Sequence, residues 1–123
     1  MIPAVVLTVV LALLAVFQLA LAAGAPWGRF AWGGQQRVLP ARLRRASAFS
    51  ILIYVGIAVA ELDRGGVVQL LPETVSVVLA WVVFGYLCIG IGLNAISRSR
   101  AERFVMTPVA ILLAVLSLLV ALS

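Results

Sequence analysis

Gly24–Arg45 reads GAPWGRFAWGGQQRVLPARLRR and packs Arg29, Arg37, Arg42, Arg44 and Arg45 into one break between long apolar stretches. A second arginine-bearing break, SRSRAERF at Ser97–Phe104, holds Arg98, Arg100 and Arg103. Between them, the middle break has only Arg64, set among Glu61, Asp63 and Glu73. Successive loops of a helical membrane protein fall on opposite faces, and short arginine-rich loops stay on the cytoplasmic face, the positive-inside rule. The pattern predicts an all-α integral membrane four-helix bundle, N-out and C-out, with two short basic cytoplasmic loops.

Composition agrees with that architecture. Apolar residues are 65% of the 123, charged residues only 11%, and the mean hydropathy is +1.24. A soluble domain of this length has too little interior to hide that much apolar surface. The net charge of +5 lies beside membrane spans, which points to the bilayer and its anionic lipid headgroups as counter-ions and away from nucleic acid. Histidine is absent and Cys88 is the single cysteine, so no metal site and no intrachain disulfide is expected. No catalytic constellation or phosphate-binding loop is visible, and no cofactor is expected.

The spans are expected near residues 2–23, 40–62, 73–96 and 105–122, within one transmembrane domain. Leu19–Ala25 imitates a signal-peptidase site, but the apolar run before it is long and lacks a basic leader, so it is taken as a retained span. Pro40 and Pro72 stand at helix starts. Ser99 and Glu102 match a capping box, with the glutamate reaching back to the cap. Pro108 implies either a kinked last helix or a short interfacial helix before it. Each half is span, basic loop, span, so the chain is not an inverted-repeat transporter by itself.

Small residues let helices approach in lipid. Gly56 and Ala60 of span two, Gly85, Cys88, Gly92 and Ala95 of span three, and Ala110, Ala114, Ser117 and Ala121 of span four form such stripes. Packing inside the bundle is the preferred reading, and a homodimer face is the alternative. Gln18, Ser47, Ser50 and Asn94 cluster toward the cytoplasmic third, with Arg98 at the mouth. They are read first as interhelical hydrogen bonds and second as a headgroup or small-solute site. Glu61 is placed close enough to the outer surface to ionise in water.

Ala25–Gly28, Ala31–Gln35, Leu39–Pro40 and Leu43–Arg44 with Asn94–Arg100, Glu102–Arg103 and Pro108 resemble a group of small bacterial four-span membrane proteins, frequent in actinobacteria and without an assigned function. The resemblance implies a multi-pass protein of a bacterial plasma membrane and supplies no activity. The chain lacks the first-span glutamate of small multidrug exporters and the threonine- and phenylalanine-rich filter of four-span fluoride channels.

The function expected is that of a non-enzymatic structural or accessory component. Its cytoplasmic loops would form one docking surface for lipid headgroups or a membrane-protein partner, built from Trp27, Gly28, Trp32, Gly33, Gly34, Arg37, Asn94, Arg98, Arg100 and Arg103. The alternative is a small homo-oligomeric transporter or channel.

Overall fold

The computed structural model describes all residues from Met1 to Ser123. Four helices make up the chain: α1 (Ile2–Ala22), α2 (Ala41–Arg64), α3 (Glu73–Ala95) and α4 (Arg100–Leu122). Each is long and apolar enough to cross a membrane. At about 1.5 Å per residue, the shortest of them matches the ~30 Å of a hydrocarbon core. Only 25 of 123 residues are buried, and Val5, Leu13, Leu52, Val82, Ile89 and Leu119 point outward from the bundle. An apolar outer surface on this scale suits lipid and not water.

Helix ends follow local chemistry. Pro3 lies in the first turn of α1, while Pro40 and Pro72 stand just before α2 and α3. Ser99 caps α4, accepting from the Glu102 amide at 3.3 Å. The reciprocal half of the expected capping box does not form. The Ser99 amide donates instead to the Ser97 hydroxyl at 3.2 Å, which frees the Glu102 side chain to turn elsewhere. α4 runs through Pro108 as one helix from Arg100, so no separate interfacial helix precedes it.

α1 packs along α2 and α3 along α4; the hairpins meet chiefly through α1 and α4, and the α2–α3 seam is thinner. Leu7, Leu11, Ile57, Ala60, Val83, Leu87, Leu113 and Ala114 form the central core. A smaller cluster of Leu21, Ala31 and Leu39 pins the first loop to the bundle end. The turn joining α2 and α3 closes on Asp63, whose Oδ2 accepts from the amides of Leu70 at 2.6 Å and Leu71 at 2.8 Å.

The small-residue stripes part ways. On α4 the small stripe faces inward: Ala110, Ala114, Ser117 and Ala121 are buried, as is Ala60 of α2. On α3 the stripe faces outward. Gly85, Cys88, Gly92 and Ala95 are exposed, and nothing lies within 4 Å of where a Cβ would stand at Gly56, Gly85 or Gly92. The face that α3 turns inward is Ser76, Ala80, Val83 and Leu87. In the central core Val83 and Leu87 of α3 pack with Leu113 and Ala114 of α4, a large side chain against a small one.

Glu61 is not at a wet boundary. It is fully buried and accepts a hydrogen bond from the Ser117 hydroxyl at 2.8 Å, with Oε2 left without a partner. Its helical spacing from Ile57 places it on the inward face of α2, which overrides nearness to the helix end.

These placements have opposite consequences for neighbouring glycines. Gly34→Ala is expected to destabilise the chain by about 1–3 kcal/mol, because a Cβ there would crowd Ser99. Gly85→Ala and Gly92→Ala should leave the monomer unchanged or up to about 1 kcal/mol more stable, since alanine favours helix. Unfolding followed by circular dichroism in detergent micelles distinguishes the two classes.

Candidate functional site

The two arginine-bearing loops meet at one end of the bundle. The first loop leaves α1 with Arg44 bonding back to it: Nε donates to the Ala22 carbonyl at 2.9 Å, satisfying a helix-end acceptor. Trp27 stacks nearly parallel on Phe17, the ring centroids 6.4 Å apart. Gly28 donates its amide to the Arg37 carbonyl at 2.9 Å, and the chain passes so close that a Cβ there would overlap the Gln36 carbonyl.

Ala31 is extended, and then three residues in succession take left-handed angles: Trp32 at φ 52°, Gly33 at 81° and Gly34 at 70°. For tryptophan that conformation is strained. Two contacts hold it. The Trp32 indole N–H donates to the fully buried Ser47 hydroxyl at 2.9 Å. Gly34 lies against Ser99 so tightly that no side chain fits between them, and the Ser99 hydroxyl donates to the Arg29 carbonyl. This joint makes one cap out of the two loops.

Under the cap lies a cavity of about 450 Å³, lined by all four helices and by Phe30–Gly33. Its floor is apolar, including Leu11, Leu14, Ile57, Leu87 and Leu113. Its polar groups come from four helices and the loop before α4: Gln18, Ser50, Tyr54, Tyr86, Asn94, Ser97 and Glu102. Gln18 Nε2 donates to the Tyr54 hydroxyl at 3.2 Å, while its Oε1 is buried without a partner. Asn94 Nδ2 donates to the Gly90 carbonyl at 2.9 Å and Ser50 to the Ala46 carbonyl at 3.0 Å. Tyr86, Ile89 and Leu93 of the lining are also exposed, so the cavity opens sideways along α3.

The structure divides the expected docking residues among different tasks. Trp32, Gly33 and Asn94 line the cavity. Gly28 and Gly34 shape the loop, and Trp27 is half exposed on Phe17. Arg37, Arg98 and Arg100 project outward. Arg103 is partly used internally: Nη1 donates to the Ser97 carbonyl at 3.3 Å, and its guanidinium sits 5.0 Å from the Phe104 ring centre.

Gln18, Ser50 and Asn94 share the lining of one chamber, whereas Ser47 is not part of it and holds the Trp32 indole instead. Arg98 is not at its mouth. The charged residue that lines it is Glu102, only 8% exposed. The sequence carried a signal for this. Glu102, Met106, Val109 and Leu113 follow helical spacing, so the glutamate extends the inward stripe of α4. No family model, curated protein or solved structure matches the chain.

The Trp32–Ser47 bond is open to a direct check. Trp32→Phe strands a buried hydroxyl and is expected to cost about 1–3 kcal/mol. In a Ser47→Ala background the same change should cost clearly less, because the partner is already gone. Thermal unfolding of the four chains gives the coupling.

Proposed function

We propose that this chain is a non-enzymatic, multi-pass protein of a bacterial plasma membrane, with both termini outside and both arginine-bearing loops in the cytoplasm. Its joined loops bind anionic lipid headgroups and so act as a structural or accessory platform. The observation that carries the reading is the joint of Gly34 and Arg29 with Ser99, which turns two basic segments into a single surface. Arg29, Arg37, Arg42, Arg45, Arg98 and Arg100 are all exposed on these segments.

Chemistry favours a headgroup over a polypeptide. Short loops flanked by apolar helices keep these guanidiniums at the level where phosphates lie. Each arginine near an anionic surface contributes about 1 kcal/mol. Trp27, half exposed beside them, suits the same boundary layer.

A second reading, a small homo-oligomeric transporter or channel, is favoured by the exposed Gly85, Cys88, Gly92 and Ala95 stripe on α3. It requires a defined oligomer and solute flux in liposomes.

Native mass spectrometry from nanodiscs containing phosphatidylglycerol tests the first reading. Retained phosphatidylglycerol, reduced several-fold by Arg98→Gln with Arg100→Gln and weakened by salt, is expected. Loss of no lipid in that double variant would refute it, and a stoichiometric second polypeptide on the loops would replace the lipid with a protein partner.

A further inference from the structure

The cavity beneath the cap is chemically unlike the arginine surface above it. Several of its donors are already engaged within the protein: the Trp32 indole, one N–H each of the Gln18 and Asn94 amides and the Ser50 hydroxyl donate to protein acceptors, while the Tyr54, Tyr86 and Ser97 hydroxyls donate to none. Beside those hydroxyls stand two acceptors without a partner. Gln18, 9% exposed, presents an Oε1 with no partner. Glu102, 8% exposed, presents a carboxyl group to which no protein donor is bonded, because Arg103 beside it is turned to Ser97 and Phe104. A buried orphan acceptor is costly, and it shares the lining of one chamber with the unpaired Glu102 carboxyl, where an N–H donor carrying positive charge suits both.

The walls narrow the choice further. Trp32, Tyr54 and Tyr86 line a mainly apolar chamber, together with Phe17, stacked on Trp27, and Phe30, which carries the Arg29 guanidinium. Aromatic faces attract cations, and about 450 Å³ falls within the ordinary range for small-molecule sites. Its side opening at Tyr86, Ile89 and Leu93 lies on an apolar helix face, where a molecule dissolved in lipid can enter.

We infer that this chamber is a binding site for a lipophilic ammonium compound, its protonated amine held by Glu102 and Gln18 and its apolar body against the core side of α1, α3 and α4. This site is separate from the headgroup surface and does not depend on it.

The test uses the full chain in phosphatidylcholine nanodiscs at neutral pH, following tryptophan fluorescence during titration with dodecylammonium, dodecanol and dodecyl sulfate. Dodecylammonium should give a saturable change, and the neutral and anionic chains should not. Glu102→Gln should weaken the apparent affinity about 10-fold or more, which corresponds to loss of a charged contact. Gln18→Met, which keeps the volume and leaves the α4 cap untouched, should weaken it as well and decides the matter if Glu102→Gln does not fold. Equal saturable binding of dodecanol or dodecyl sulfate would overturn the proposal, as would unchanged affinity in both variants. Absence of a saturable signal with dodecylammonium would overturn it too.

Discussion

One hydroxyl group ties the arginine-bearing end together. Ser99 accepts the Glu102 amide at the start of α4 and donates to the Arg29 carbonyl in the first loop, with Gly34 pressed against it. A helix start normally needs a side-chain acceptor; here the same group also fastens a loop seventy residues away in sequence. Much follows from it. With Ser97 bonding the Ser99 amide, Glu102 has no cap to return to and lies inward. With Gly34 fixed, the left-handed run is held at its end and Trp32 reaches Ser47. The roof of the cavity and its one carboxylate therefore share an origin.

The result is two opposed chemical surfaces at one end of a small bundle. Outside, exposed guanidiniums surround the joined loops; inside, acceptors and aromatic rings surround an apolar chamber. Backbone polar groups near a lipid layer must find partners within the protein. Arg44 of α2, bonded to the last carbonyl of α1, and Arg103 of α4, bonded to the Ser97 carbonyl just past α3, serve that need, which is why not every arginine is free for a ligand. At the opposite end, Asp63 does the same for the amides of Leu70 and Leu71.

Much of the architecture was legible in the sequence, because helix length, proline placement and charge clustering are local properties. The four helices, the Ser99 cap and the inward alanines of α4 all carry plain signals. The α3 stripe misled because a helix has two sides, and small residues at helical spacing do not say which side meets a neighbour. Glu61 was expected in water and Glu102 back at its cap. Both lie near helix ends, yet each continues an inward stripe and is buried. The left-handed Trp32 and the loop joint depend on contacts between distant segments, and no local pattern announces them.

The most direct measurement of the loop joint is the distance between spin labels at Gln35 and Arg98, both exposed, in a chain whose Cys88 is replaced by serine and which is held in nanodiscs. A single narrow distribution at the short end of the measurable range is expected, and it should broaden when Gly34→Ala is added. A broad or long distribution in the parent chain would mean that the two arginine-bearing loops move independently, and the shared cap would be lost.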